Sequence, residues 1–296
     1  MIALTYEEKK SLGFQFLLDS LNANSVYGQE LIKSAAPYAK EQKAELKLEL
    51  KRLAQLVAGY QEQKFFWDSV ELILMNMKEV RGSLKNGKEN VLTDLELFEL
   101  KQFLLQSEKL LTIYEGQKDL QLPGIEFQNT VDALNVLDPE HRRMPGFYIA
   151  DAYSEELSEV RARKKHLEVV LRQEHTEEKR EHLLNQRKEA VVKEEAIQQR
   201  IREEITVQLR PWLEHIQRNC EMVGCMDFLI QKAKIALRYQ GICPNITASE
   251  LELTDMINPS LVEVLQERGK KFAPITFLMQ LGTAVITGAN MGGGRV

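Results

Sequence analysis

Between Gly146 and Pro211 the chain contains neither glycine nor proline. No turn chemistry of the ordinary kind interrupts this stretch, and Glu, Lys, Gln, Arg, Leu and Ala dominate it, so it has little choice but helix. Ile197, Ile201, Ile205, Leu209 and Leu213 recur every four residues, and Leu157, Val160, Leu167 and Leu171 form a sparser stripe. A narrow apolar seam on an otherwise charged rod predicts an antiparallel helical hairpin. The polar run from Gln173 to Arg180 is the expected tip, with Thr176 capping the returning arm. Arms of about 20–35 residues extend about 30–50 Å at 1.5 Å per residue. Ser154 ahead of Glu155 and Glu156 starts the hairpin, its carboxylates facing the positive end of the helix.

The whole chain has 296 residues, 44% of them hydrophobic, enough for one large or two modest domains. No apolar run approaches the ~18 residues of a membrane span, and the charged start from Glu7 on carries no signal-peptide pattern. Cys220, Cys225 and Cys243 make neither a disulfide framework nor a paired metal site, so reduced thiols in a cytoplasmic protein are expected. The five histidines, His141, His166, His175, His182 and His215, show no metal spacing, and nothing suggests a nucleophile–base pair. Asn245-Ile246-Thr247 fits a glycosylation sequon, inert without secretion. A net charge of −5 gives no global basic footprint. On the hairpin, Lys164, Lys165, Lys179, Arg180, Arg187 and Lys188 alternate with glutamates, which reads as a solvated face rather than a phosphate track.

Upstream, residues 6–21 read as a first helix, and Ser25 caps a short one carrying Val26, Leu31 and Ile32. A helix is predicted over 40–58, with Leu46, Leu50, Leu53 and Val57 on one face. The apolar stretch from Phe65 to Val80 reads as core, and Lys78 to Gly87 as a loop. Thr93 caps the next helix, whose buried side takes in Phe98, Phe103, Leu104, Leu110 and Leu111. Pro211 and Trp212 mark a kink, and a helix from Gly224 ends before Gly241 and Pro244. Residues 245–281 carry short β-like pieces with a turn at Asn258-Pro259 and a break at Pro274.

After the apolar run Ala284-Val285-Ile286, which reads as a strand, comes Thr287-Gly288-Ala289-Asn290-Met291-Gly292-Gly293-Gly294-Arg295. Gly288 and Gly293 stand at the spacing of a Walker A phosphate loop, in which backbone amides close around phosphates. Residues 287–293 resemble the phosphate loop of the MutS family of mismatch-repair ATPases, typically T-G-P-N-M-G-G-K-S, with Ala289 in place of the proline. Further resemblances lie in Ser25-x-x-Gly28-x-x-Leu31, in Arg81-Gly82-Ser83-Leu84 with Val91-Leu92-Thr93, in the segment from Phe147 to Leu157, and in the Asp227-containing helix. Gly294 and Arg295 occupy the positions of the family's lysine and hydroxyl residue, and the chain is expected to stop inside this loop. Asn258 stands where the family usually has a histidine before proline.

The expected fold is mainly α: a helical core over 1–154, a long antiparallel hairpin or lever with its connecting helix over 155–243, and over 244–296 the truncated start of an α/β P-loop ATPase domain. The remnant nucleotide site comprises Gly288, Ala289, Asn290, Met291, Gly292, Gly293, Gly294 and Arg295, with no catalytic and no metal-ligating residues. The resemblance implies ATP and Mg²⁺ as cofactors. Without the lysine and the hydroxyl, neither is expected to be bound productively, and ATP turnover is not expected of this chain alone. It also implies a homo- or hetero-dimer through a complete ATPase domain. Mismatch binding needs a reading domain and clamp strands, and the sequence shows neither. Two alternatives follow: a reactivase-type, chaperone-like partner of a cobalamin-dependent aminomutase, and a helical structural adaptor.

Overall fold

The computed structural model describes residues 4–247 and 250–280. In chain order the helices are α1 (Tyr6–Ser11), α2 (Phe14–Asp19), α3 (Val26–Lys33), α4 (Lys43–Tyr60), α5 (Lys64–Met75), α6 (Arg81–Gly87), α7 (Asp94–Glu115), α8 (Val131–Leu137), α9 (Glu155–Gln173), α10 (Glu177–Leu209), α11 (Leu213–Arg238) and α12 (Pro259–Glu267). Strands β1 (Glu250–Met256) and β2 (Ile275–Gln280) flank α12 and pair antiparallel. The fold is mainly α, as the composition demands. No helix among the described residues is long and apolar enough to cross a membrane.

Two compact units divide the chain. The first takes residues up to Glu71, the segment Asp119–Ile125 and everything from Gly224 on; the second takes Leu72–Lys118 and Glu126–Val223. Helices α5 and α11 each contribute to both.

In the first unit, the helix expected over 6–21 is two. Gly13 sits at φ 72°, a left-handed conformation that ends α1 and starts α2. Thr5 and Glu8 close a capping box on α1, and the Ser25 hydroxyl accepts the Gly28 amide at the start of α3. On α4 only Leu56 and Tyr60 are fully buried, whereas Leu46, Leu50, Leu53 and Val57 are half-buried. The Asn258-Pro259 turn opens a helix instead. The Asn258 carboxamide accepts the Leu261 amide while Pro259, with no amide to satisfy, takes the first helical position.

On α5, Trp67, Val70 and Leu74 are buried, but Phe65 is 91% exposed, and Leu72 and Met75 are exposed too. The run from Phe65 to Val80 is therefore core on one face only.

In the second unit, the expected loop from Lys78 to Gly87 contains α6. The Glu79 carboxylate accepts the Arg81 amide at its start. Ser83 and Leu84 are buried, and Gly87 lies against Leu92, so tertiary packing overrides the turn-forming residues. Thr93 and Glu96 form a capping box on α7. Leu97, Leu100, Phe103, Leu104 and Leu110 are buried, and α8 supplies Ala133, Leu134 and Leu137.

The hairpin is α9 and α10, 19 and 33 residues long. Ile197, Ile201, Ile205 and Leu209 of α10 are buried, as are Leu157, Val160 and Leu167 of α9. Each such side chain contributes about 1.5–3 kcal/mol by leaving water. Ion pairs set the register: Glu156 with Arg200, Arg161 with Glu194 and Glu168 with Arg187 step in opposite directions along the two arms. At the tip, Thr176 makes no side-chain capping bond. The Glu174 carboxylate accepts the His175 and Thr176 amides in its place. A tight turn at Arg210–Trp212, with Pro211 where no helical amide is needed, leads from α10 into α11.

Candidate functional site

The phosphate-loop residues Gly288, Ala289, Asn290, Met291, Gly292, Gly293, Gly294 and Arg295, and the apolar run before them, lie outside the described residues. What the structure describes is the scaffold that leads to them, and its chemistry centres on Asp227 of α11.

The Asp227 carboxylate is completely buried in the first unit. It accepts the Ser25 amide at 2.6 Å, the Ser25 hydroxyl at 2.7 Å and the Asn24 amide at 3.2 Å. No ion pair to it occurs among the described residues. The charge is balanced instead by the amides at the start of α3, where the helix dipole favours an anion, and by charge-assisted hydrogen bonds worth about 1.5–3 kcal/mol each. Small residues allow the approach. A Cβ on Gly28 would stand 2.6 Å from Asp227 Oδ2, and one on Gly224 would stand 3.1 Å from the Tyr27 Cβ.

Two carboxylates surround this centre. Glu71 accepts Lys234 Nζ at 2.6 Å, the Tyr60 hydroxyl at 3.0 Å and Asn24 Nδ2 at 3.3 Å. Asn24 therefore touches both Asp227, through its backbone, and Glu71, through its side chain. Glu49 takes the Tyr38 hydroxyl and Lys232 Nζ, and that ammonium also lies over the Phe228 ring, 3.6 Å from its centroid. Burial pushes the Tyr38 and Tyr60 phenols up, reinforced by the adjacent carboxylates. Burial pulls the Lys232 ammonium down, against the opposing pull of Glu49. These groups are saturated by one another; none is paired as nucleophile and base.

The second unit holds a different kind of cluster. Lys101 and Asp138 form a buried ion pair at 3.0 Å, and Asp138 also accepts the Arg143 amide and guanidinium. Burial opposes ionisation of Asp138, but the bonds from Arg143 and Lys101 outweigh it and hold the carboxyl below the usual aspartate value. His141 and Arg143, both at φ 52°, shape the loop around this pair. A groove of about 490 Å³ is lined by Met75, Met77, Phe98, Gln102 and Gln106, with Lys78 its one charged lining residue. On the hairpin, Lys164 and Arg187 are tied to Glu194 and Glu168.

Sequence reasoning placed Ser25 at a cap and Asp227 in a helix but did not join them across 202 residues. The available signal was an aspartate set among Cys225, Met226, Phe228, Leu229 and Ile230, a position that a carboxylate tolerates only with partners.

No family model matches the chain. Endonuclease MutS2 of Leuconostoc mesenteroides is 33% identical over 116 residues, which cover 38% of this chain and 14% of that protein. Endonuclease MutS2 of Acetivibrio thermocellus is 29% identical over 114 residues, with the same coverage of 38% and 14%. The chain thus matches about one seventh of the length of these relatives. The likeness supports a distant relationship to the MutS family.

Proposed function

We propose that this chain is a MutS-related core-and-lever module that leads into a nucleotide-binding loop and does not read DNA mismatches. The observation that carries the reading is the partial likeness to MutS2. The phosphate-loop wording of Thr287–Gly293 and the long hairpin agree with it. In this reading α11 is the transmitting element, because one uninterrupted helix contributes to both compact units and is anchored in the first by Asp227. The glycines from Gly288 to Gly293 offer amides to phosphate oxygens. Gly294 and Arg295 replace the groups that reach the terminal phosphates and Mg²⁺, so ATP binds weakly and without turnover. A complete ATPase domain would pair two such modules.

Fluorescent ATP-analogue titration with and without Mg²⁺ tests the nucleotide part. Weak, Mg²⁺-indifferent binding is expected; Mg²⁺-dependent turnover abolished by Asn290→Ala would overturn it. Mobility-shift titration at low salt tests the DNA part, and nanomolar, mismatch-selective binding would refute it.

The hairpin tip favours a second reading. Glu174–Thr176 join α9 directly to α10 with no strand between them, and basic residues of the arms are engaged by glutamates. A protein client then replaces DNA, as in a reactivase-type partner of a cobalamin-dependent aminomutase. Co-purification with such an enzyme, lost on shortening the hairpin, is the expected result.

A further inference from the structure

Cys225, Phe228 and Lys232 follow one another along a single face of α11, at intervals of three and four residues. Seven residues bring Lys232 back to within about 20° of Cys225 and place it about 10.5 Å further along the helix axis. The Lys232 stem runs back toward the helix start, and its ammonium lies over the Phe228 ring, 3.6 Å from the centroid. The ammonium thus stands beside a residue only one turn from Cys225. On α4, Glu49 pairs with the same ammonium.

Both reactive side chains are within reach of small solutes. Cys225 is half-buried and in no disulfide, and the Lys232 side chain is 23% exposed. Burial pulls the Lys232 ammonium down, while Glu49 and the Cys225 thiolate pull it up. That attraction is mutual, and the thiolate is the nucleophilic form of a cysteine. The other two thiols are placed differently: Cys220 is fully buried, and Cys243 lies beyond the end of α11, near the Leu50 and Pro244 carbonyls.

We propose that Cys225 and Lys232 form an acyl-transfer pair, in which a short acyl group carried as a thioester is taken by the Cys225 sulfur and handed to Lys232 Nζ. The Cys225 thiolate bonds to the acyl carbonyl carbon, the bond from that carbon to the carrier sulfur breaks, and the carrier leaves as a thiolate. Acylated Cys225 is neutral and no longer supports the ammonium, so Lys232 gives a proton to water. The free amine attacks the new thioester, the carbon–sulfur bond breaks, and the second nitrogen proton passes to Cys225, which returns to a thiol. The product amide carries no charge. Glu49 then keeps the Tyr38 hydroxyl but loses its cation, which weakens the tie between α4 and α11 inside the first unit. The inference stands without any nucleotide or DNA.

Incubation of the full chain with acetyl-coenzyme A at alkaline pH, followed over time by peptide mass spectrometry, tests it. Lys232 is expected to gain an acetyl group about tenfold or more faster than the exposed Lys43 and Lys47 of α4. Cys225→Ala removes that advantage and leaves Lys43 and Lys47 unchanged. Lys232→Arg keeps a cation beside Glu49 but halts the transfer halfway, so a hydroxylamine-sensitive acetyl group accumulates on Cys225. Should Cys225→Ala disturb the fold, this thioester decides alone. With acetyl phosphate, which acylates amines directly, Lys232 reacts equally with and without Cys225; a dependence on Cys225 there and not with the thioester would overturn the choice of donor. Acetylation of Lys232 no faster than that of Lys43 and Lys47, an undiminished rate in a folded Cys225→Ala chain, or no thioester on Cys225 in Lys232→Arg would each overturn the proposal.

Discussion

Asp227 in the first unit and Glu194 on the hairpin are both buried carboxylates on long helices, yet they are held in opposite ways. Asp227 meets no cation among the described residues and is held by two amides and a hydroxyl from residues distant in sequence, with the Gln231 carboxamide donating at 3.5 Å from its own helix. Glu194 lies between Arg161 and Lys164, two cations of the facing arm whose own side chains reach solvent. The first arrangement forms a joint with a single geometry, since hydrogen-bond direction and the close approach at Gly28 leave no slack. The second sets register along a seam and tolerates adjustment, because long side chains can swing and water can enter. Rigidity is thus concentrated where α11 meets α3, and compliance along α9 and α10.

Substitution at Asp227 should separate the two most strongly. Asp227→Leu strands the Ser25 amide and hydroxyl, the Asn24 amide and the Gln231 carboxamide and is expected to cost about 3–5 kcal/mol, read as a lowered urea midpoint of the first unit. Gly28→Ala forces its new methyl toward the same carboxylate and should cost about 1–3 kcal/mol by the same assay. If both changes prove mild, the joint is not rigid and the contrast with the hairpin collapses.

On the compliant side, Glu194→Gln keeps the shape and removes the charge, with an expected loss of about 1 kcal/mol. Its pH dependence gives a sharper test. Burial opposes ionisation of Glu194, but Lys164 and Arg161 outweigh it, so its folded value lies below the ordinary 4.5. A depressed folded value means the stabilisation is fully present above 4.5 and disappears as the pH falls through the lower folded value. The difference in thermal midpoint between wild type and Glu194→Gln should therefore vanish on acidification. A gap that persists in strong acid would show that the charge is not what matters.

The smallest effect is expected at the tip. Thr176→Ala should change stability by no more than about 0.5 kcal/mol, because its hydroxyl caps nothing. Glu174→Ala should instead fray the start of α10, seen as faster amide exchange at His175 and Thr176.

What could be read from the sequence was local. The caps at Ser25, Thr93 and Ser154 lie within three residues of the amides they satisfy, and the seam of α10 repeats every four residues, so both signals survive without a partner. The break at Gly13 was hidden because the apolar stripe runs on through it. The helix at Arg81–Gly87 was hidden because Ser, Asn and two glycines favour turns until Leu92 packs on Gly87. At Asn258 a capping residue followed by proline serves a turn and a helix start equally well. The candidate site was the least legible part. Ser25 and Asp227 each have an ordinary local meaning, and only the fold brings them together.

That meeting has a consequence for biosynthesis. Helix α3 has only eight residues, too few to persist alone in water, and its terminal amides await an acceptor 202 residues downstream. At roughly 5–20 residues per second the ribosome delivers that acceptor about 10–40 s after α3 has been made. During that interval the nascent amino-terminal segment is a chain in search of its keystone, and the order of translation fixes when it can be set.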